Sequence, residues 1–91
     1  MKMKLSIIIP CFNEEKTIEQ VVNKVLKFKT LEKEILIIDD CSVDNSREII
    51  KKISNLNTSV KCFFQDKNLG KGSAIRKGFE VATGDILLIQ D

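Results

Sequence analysis

The sequence predicts an α/β domain whose mainly parallel sheet is covered by helices on both faces. Short, nearly continuous apolar runs alternate along the chain with longer segments of helical periodicity. Such runs, rich in β-branched residues, are typical of strands buried on both faces of a sheet. The resulting order is β-α-β-α-β-α-β, and right-handed crossovers between parallel strands arrange these elements in three layers.

Four strands and three helices account for nearly the whole chain. The strand pattern occurs in LSIII at 5–9, EILIID at 34–39, VKCFFQ at 60–65 and DILLIQ at 85–90. Apolar residues follow one helical stripe in the segments 14–29, 45–56 and 71–83. Pro10 is expected to end the first strand. Asn13 and Asn45 are expected to be N-caps, with Glu48 completing a capping box after Asn45.

Length and composition favour one small globular unit. The chain has 91 residues, of which 43% are hydrophobic, enough for one core but not for two. A net charge of +2 is too small to indicate a nucleic acid or an anionic membrane surface as partner. No stretch approaches the roughly 20 apolar residues of a membrane span.

Cysteine and histidine usage restricts the chemistry. Three cysteines, at 11, 41 and 62, form no CxxC pair, which argues against a disulfide framework and a zinc site. This pattern is typical of a reducing compartment, so we expect a cytoplasmic location. For a longer parent protein, we expect a location at the cytoplasmic face of a membrane. The sequence has no histidine, which excludes histidine-based catalysis or metal binding within it.

The predicted strand at 85–90 has no helix after it. A parallel strand normally leads into a crossover that covers the sheet. We therefore expect residues 1–91 to be the N-terminal part of a larger domain. The uncovered sheet edge would favour self-association.

Polar segments follow the predicted strands at their carboxyl ends, where open parallel sheets bind ligands. They are PCFNEE, DDCSVD and DKNLGKGS, with Asp91 after the fourth strand. Each has a plain structural explanation as a helix cap or a tight turn, but their convergence on one edge favours a binding site. LGKGS is neither a Walker A loop nor a dinucleotide fingerprint, because Gln65 and Ile75 stand where glycines are required. A glycine loop before a helix, with Lys71 beside it, can still bind an anion.

The adjacent acids Asp39 and Asp40 leave two functional classes open. In a phosphoacceptor receiver domain, an acidic pair after one strand and a phosphorylatable aspartate two strands later surround Mg²⁺, and Asp91 would be the acceptor. However, receivers carry the pair after their first strand, whereas a complete β-α unit at 5–29 precedes it here. The second class is a nucleotide-binding part of a transferase.

Three motifs carry a family resemblance: SIIIPCFNEEKTI, EILIIDDCSVDNS and NLGKGSAIRKGFEVATGDILLIQD. In order and spacing they resemble the start of a family 2 glycosyltransferase with the Rossmann-like GT-A fold, most closely the subgroup that uses dolichyl or polyprenyl phosphate as acceptor. The resemblance spans essentially the whole chain. It implies transfer of a hexose from a UDP- or GDP-linked sugar. This segment would supply the donor-nucleotide pocket and would be inactive by itself.

The resemblance also implies a nucleoside pocket. Phe12 would form an apolar wall for the base, and Glu14 would accept a hydrogen bond from ribose or base, with Pro10 in the same stretch. Asp40 would bind the base, with Ile38 beside it. An ionised carboxylate only accepts hydrogen bonds, so it selects a base edge with N–H groups.

The remaining implied roles concern loops, phosphates and a metal. Asp39 would hold the neighbouring loops together. Asp91 falls on the first acid of the family's D-x-D motif, which binds Mg²⁺ or Mn²⁺ across the diphosphate. Oxygen ligands suit both ions because they are hard cations. Lys71 would add positive charge near the phosphates.

Overall fold

A computed structural model describes residues 3–28 and 31–91 of the chain, and its elements follow the predicted order. The strands are β1 (Lys4–Cys11), β2 (Glu32–Asp39), β3 (Val60–Phe64) and β4 (Ile86–Ile89). The helices are α1 (Ile18–Leu26), α2 (Ser46–Leu56) and α3 (Lys71–Val81). Over these ranges, no helix has the length and apolar character needed to cross a membrane.

The four strands form one parallel sheet in the order β3-β2-β1-β4. The chain moves outward from β1 to β3, and α3 then carries it back across the sheet to the other side of β1. Neighbouring loops therefore diverge after β1 and β4. This reversal of strand order is the place where doubly wound sheets bind ligands.

Alternation along the strands divides the apolar residues between two faces. The face that packs on α1 and α2 includes Ile7, Ile9, Ile35 and Ile37. The face that packs on α3 includes Ile8, Leu36 and Ile38. Burial of each such side chain contributes about 1.5–3 kcal/mol, so coverage on both faces explains the continuous apolar runs.

Pro10 lies inside β1, so the prediction that it ends the strand was wrong. Cys11 O accepts from Asp40 N on the β2 side, and Ile8 O accepts from Gln90 N on the β4 side. The backbone groups of successive residues point to opposite sides of a strand, so the nitrogen of Pro10 faces the same side as the carbonyl of Ile8, toward β4. Ile8 is the last residue of β1 that pairs with β4, so Pro10 lies beyond the paired residues. A missing N–H costs no ladder hydrogen bond there.

The first helix begins later than its predicted start at 14. Thr17 N and Ile18 N both donate to Glu14 O, at 3.0 and 2.9 Å, so residues 14–17 form a turn. Thr17 occupies the N-cap position, and the prediction for Asn13 was wrong. The predicted end at position 29 lies outside the described residues, and α1 ends at Leu26.

The second helix confirms only part of its predicted cap. Asn45 stands at the N-cap position, but its side chain makes no capping hydrogen bond. Asp44 accepts instead, with its Oδ1 2.9 Å from Ser46 N.

The start of β4 is anchored by a buried carboxylate at the opposite end of the sheet from the polar loops. Glu34 accepts from Ser6 Oγ (2.6 Å), Thr83 N (2.7 Å) and Lys61 Nζ (3.2 Å). Burial acts to raise the pKa of Glu34, but these hydrogen bonds outweigh it and lower the pKa to about 2. The turn that starts β4 is thereby tied to β1 and β2, which fixes the strand whose carboxyl end carries Asp91.

β4 is exposed along its whole length, unlike the buried strand that its sequence predicts. Its four side chains are 36–48% exposed. In the described ranges no strand pairs with its outer side. The expected uncovered sheet edge is confirmed there, and self-association stays a prediction.

Candidate functional site

A cavity of about 260 Å³ opens at the carboxyl edge of the sheet, where the loops after β1 and β4 diverge. Every predicted site residue except Ile38 lines it. The full lining consists of Pro10, Cys11, Phe12, Glu14, Asp40, Asn68, Gly70, Lys71, Ala74 and Asp91. The topology thus gathers side chains that are up to 81 positions apart in the sequence, from Pro10 to Asp91.

Ile38 is fully buried and packs with Leu36 and Ala74 beneath α3. Its side chain has no surface to offer a ligand, so the predicted place of Ile38 in the nucleotide site depends on its backbone alone and stays a prediction. Ile38 and Asp40 share one face of the sheet, but only Asp40 lies beyond the end of the strand, where the cavity begins.

Asp40 holds the loop between β3 and α3. Its Oδ1 accepts from Gln65 Nε2 and Leu69 N, and its Oδ2 accepts from Gly70 N, all at 2.8 Å. The carboxylate is 4% exposed and still borders the cavity. Asp40 therefore has a loop-holding role that sequence reasoning missed.

Asp39 points to the opposite face and holds the loop between β2 and α2. It accepts from Ser42 N at 2.9 Å and from Ser42 Oγ at 2.5 Å, and Arg47 Nε lies 3.2 Å from its Oδ2. Arg47 also lies over the Phe64 ring, 5.0 Å from its centroid. This fully buried carboxylate is thus compensated by hydrogen bonds and by a cation, as buried charges require.

The loops after β1 and β2 are joined by further hydrogen bonds. Glu14 N donates to Ser46 Oγ at 2.8 Å, and Glu15 N donates to Asp44 Oδ2 at 3.2 Å. Burial opposes ionisation of Asp44, but hydrogen bonds from Ser46 and Glu15 lower its pKa. An ionised Asp44 therefore links the two loops at neutral pH.

Two side chains at the mouth of the cavity are free to meet a ligand. Phe12 is 42% exposed, although it follows a largely buried strand, and its exposed ring suits stacking on a planar group. Glu14 is also exposed, and its Oε2 accepts from Thr17 Oγ1 at 2.7 Å.

The far wall of the cavity is the N-terminal end of α3. Gly70 precedes the helix with a φ of 95°, a left-handed value that favours glycine, and its N–H donates to Asp40. The unpaired N–H groups and the dipole of a helix N-terminus attract anions. Lys71, the first residue of α3, adds a cationic side chain that forms an ion pair with Asp91. Both partners of this pair are more than half exposed.

Cys11 lines the cavity without reactive character. Burial, with a further contribution from nearby Asp39, raises the pKa of its thiol to about 12. The thiol stays protonated at neutral pH, which excludes it as a nucleophile.

The predicted metal ligand stands alone. Across residues 3–28 and 31–91, no group of three or more His, Cys, Asp or Glu is placed to hold a metal ion. Asp91 is paired with Lys71 instead. A divalent cation needs several oxygen ligands, so these residues by themselves supply an incomplete metal site.

Asn68, Gly70 and Ala74 also line the cavity, and sequence reasoning did not select them. For Asn68 and Gly70 the signal was present, because both lie in the DKNLGKGS segment, which follows β3 at the same edge. Ala74 comes directly after this segment. Only the cationic Lys71 was chosen from it, since an amide and small residues carry no distinctive chemistry in a sequence.

A larger cavity, about 400 Å³, lies between α1 and the sheet. Its lining is Leu5, Ile7, Val21, Lys24, Val25, Phe28, Leu31, Lys33, Leu88 and Gln90. It contains no acid and, apart from Gln90, no residue of the segments that follow the carboxyl ends of the strands. The smaller cavity, which combines acids, a lysine and an aromatic side chain, is therefore the better candidate site.

Comparison with known proteins identifies the family of the chain. The model of glycosyl transferase family 2 matches residues 6–91. The undecaprenyl-phosphate 4-deoxy-4-formamido-L-arabinose transferase of Proteus mirabilis is 35% identical over 92 residues, which cover 97% of this chain and 28% of that protein. The poly-β-1,6-N-acetyl-D-glucosamine synthase of Staphylococcus aureus is 37% identical over 87 residues, 96% of this chain and 21% of that protein.

Solved structures share the fold. TarS from S. aureus in complex with UDP-GlcNAc superposes with a TM-score of 0.86 at 32% identity, over 98% of this chain and 26% of that one. A mannosyltransferase from Pyrobaculum calidifontis, solved with GDP-Man and Mn²⁺, superposes with a TM-score of 0.85 over 96% of this chain and 26% of that one. The two sequences are 19% identical, so this is a likeness of fold alone. The expected GT-A fold is confirmed. The chain spans about a quarter of the length of these proteins, and it belongs to glycosyl transferase family 2.

Proposed function

We propose that residues 1–91 form the donor-nucleotide pocket of a glycosyltransferase, and that the carboxyl-edge cavity binds a nucleoside diphosphate sugar. The observation that carries the proposal is the composition of this cavity. It brings an exposed aromatic ring, three acids and a lysine at a helix N-terminus into one opening. A nucleotide offers the matching groups, namely a planar base, hydroxyl and N–H donors, and an anionic diphosphate.

The base and ribose occupy the side of the cavity near β1. Stacking on Phe12 contributes about 1–3 kcal/mol, as for other bases on aromatic side chains. Glu14 accepts from a ribose hydroxyl or the base. Asp40 already accepts three hydrogen bonds, and a carboxylate has about four acceptor positions, so one position remains for a base N–H.

A uridine diphosphate is the proposed donor nucleotide, ahead of a guanosine diphosphate. Uracil presents a single N–H at its pairing edge, which matches the one acceptor position left on Asp40. TarS, 32% identical, was solved with UDP-GlcNAc, whereas the neighbour solved with GDP-Man is only 19% identical.

The diphosphate lies against the N-terminus of α3. Lys71 and the helix dipole supply the positive potential. Asp91 is the proposed first ligand of a divalent cation, Mg²⁺ or Mn²⁺, that neutralises the leaving diphosphate when bound.

The transfer step belongs to the complete enzyme, of which this chain represents the donor-binding part. We propose a polyprenyl phosphate as acceptor, following the sequence motifs and the undecaprenyl-phosphate transferase among the relatives. A growing polysaccharide is the second candidate, because a polysaccharide synthase is similarly close.

The receiver-like alternative is set aside. Family membership decides against it. The geometry agrees, since a receiver needs three carboxylates around one Mg²⁺, and the described part of the chain has no such cluster. Asp39 and Asp40, moreover, point to opposite faces of the sheet.

Calorimetric titration tests the proposal. UDP, GDP, uridine and inorganic phosphate are titrated into the chain with and without Mn²⁺, using Phe12→Ala and the control Phe79→Ala. Phe79 is 47% exposed, similar to Phe12, but lies outside the cavity. We expect UDP to bind more tightly than GDP and phosphate, with about tenfold weaker binding for Phe12→Ala only. Equal weakening in both variants, or no nucleotide binding at all, would contradict the proposal.

A further inference from the structure

Asn13 has a left-handed backbone between two residues of the cavity. Its φ is 51°, and Cys41, with a φ of 63°, is the other non-glycine residue with positive φ in the described ranges. Asparagine tolerates this conformation better than other side chains do. Phe12 and Glu14 on either side line the cavity, whereas Asn13 does not.

The polar groups of Asn13 are used by the neighbouring loop. Its N–H donates to Ser42 Oγ at 2.8 Å, and its Oδ1 accepts from Val43 N at 2.9 Å. Asn13 is thus joined to the loop after β2 through both its backbone and its side chain. These bonds connect positions 29 and 30 residues apart.

The loop that receives Asn13 is itself held by the buried acid. Ser42 Oγ, which accepts from Asn13, donates to Asp39 Oδ1 at 2.5 Å. Asp39 is fully buried and paired with Arg47. A continuous chain of hydrogen bonds therefore runs from the sheet interior to the backbone between Phe12 and Glu14.

Solvent exposure separates the effect on the site from the effect on the fold. Val43 is 87% exposed and Asn13 is exposed as well. If the Asn13 side chain is removed, the Val43 N–H can be hydrated, so the fold loses little. The turn that orients Phe12 and Glu14 loses one of its restraints, while the N–H groups of Asn13 and Glu14 keep their bonds to Ser42 and Ser46.

We propose that Asn13 is a positioning residue, which sets the orientation of Phe12 and Glu14 toward the donor nucleotide without touching it. The part of the inference that concerns the nucleotide rests on the proposed function. The part that concerns the order of the turn at Asn13 does not. Glu14 N donates to Ser46 Oγ, so the exchange rate of this amide reports the order of the turn without any nucleotide.

Three variants separate the contributions of Asn13. Asn13→Asp keeps both an acceptor oxygen and a side chain that tolerates the left-handed backbone, Asn13→Gly keeps only the backbone freedom, and Asn13→Ala keeps neither. Asn57→Ala is the control, because Asn57 Nδ2 donates to Ile53 O at 2.9 Å, away from the cavity. The UDP dissociation constant, the urea midpoint and the Glu14 amide exchange rate are measured for each.

We expect about tenfold weaker UDP binding and about tenfold faster Glu14 exchange in Asn13→Ala, with Asn13→Gly intermediate and Asn13→Asp within about threefold of the parent chain. The urea midpoint should fall no further than in Asn57→Ala. Unchanged Glu14 exchange in Asn13→Ala overturns the inference, as does a loss of binding that Asn57→Ala shares. If the parent chain binds no nucleotide but Asn13→Ala still accelerates Glu14 exchange, the proposed function is overturned. The role of Asn13 in ordering the turn is then still supported.

Discussion

The carboxylates of Asp39 and Asp40, neighbours in the chain, hold loops on opposite faces of the sheet. Asp39 binds Ser42 and Arg47 on the face covered by α1 and α2, while Asp40 binds the loop before α3. Side chains alternate along a strand, so two adjacent acids at its end reach two different loops. The repulsion expected between adjacent acids is reduced because each is surrounded by its own donors.

The loop-holding role of Asp40 predicts a loss of stability in Asp40→Asn. In this variant an N–H₂ group replaces one of the two oxygens that accept hydrogen bonds from Gln65, Leu69 and Gly70. Two donors then face each other, and a buried donor is left without an acceptor. We expect the free energy of unfolding to fall by about 1–3 kcal/mol, measured by urea denaturation. Faster exchange at the Leu69 and Gly70 amides should accompany it.

Asp66→Asn is the control for this prediction, because Asp66 is an exposed acid in the same loop. Equal urea midpoints for the two variants would show that Asp40 does not hold the loop.

The ion pair of Lys71 predicts a separation between phosphate and base binding. Lys71→Met removes a charge from the N-terminus of α3, and stability should change by less than about 1 kcal/mol because the pair is exposed. UDP affinity should fall about tenfold while uridine affinity stays unchanged, as titration calorimetry can measure.

Lys67→Met serves as the control for the charge change. Lys67 is exposed in the same loop but does not line the cavity. The assignment of Lys71 to the phosphates fails if Lys67→Met weakens UDP binding equally, or if Lys71→Met weakens uridine binding as much as UDP binding.

The buried Glu34 predicts acid-dependent stability. Its pKa in the folded chain, about 2, lies below the ordinary value of 4.5, so ionised Glu34 stabilises the fold. The contribution, about 3 kcal/mol, is complete above pH ~5 and is lost as the pH falls toward 2. In Glu34→Gln the decline in unfolding free energy between these pH values should be shallower by this amount. Glu48→Gln, at an exposed position on α2, should keep the steeper decline of the parent chain.

Two glycines of α3 predict opposite effects of alanine. A Cβ at Gly78 would lie 2.5 Å from Ile8 Cγ2, in a fully buried part of the core, so Gly78→Ala should destabilise by about 1–3 kcal/mol. A Cβ at Gly72 meets nothing within 4 Å, so helix propensity should make Gly72→Ala more stable by about 0.5–1 kcal/mol. Thermal unfolding of the two variants compares them directly. A common direction of change would contradict this account of how α3 packs on β1.

The fold and the location of the site were predictable because they depend on patterns visible along the chain. Apolar runs and helical stripes gave the element order, and the carboxyl ends of parallel strands brought Phe12, Asp40 and Lys71 to one edge. The burial of the Ile38 side chain was not foreseen, because nearness in sequence to Asp40 does not expose a strand residue.

The role of Asn13 was not predictable from local sequence. An asparagine before a helical stripe is typical of an N-cap, and only hydrogen bonds to residues 29 and 30 positions away give it another role. An uncovered sheet edge was expected, but its place at β4 and the exposure of the β4 side chains were not, since an apolar run by itself predicts burial.

Nuclear magnetic resonance titration of the chain with UDP locates the bound nucleotide and so decides whether the carboxyl-edge cavity is the donor site. Binding at the carboxyl-edge cavity predicts the largest amide shift changes at Phe12, Asn68, Gly70 and Lys71. Shifts concentrated at Val21, Val25 and Leu88, which line the apolar cavity, or no saturable shifts at all, would contradict the proposed donor site.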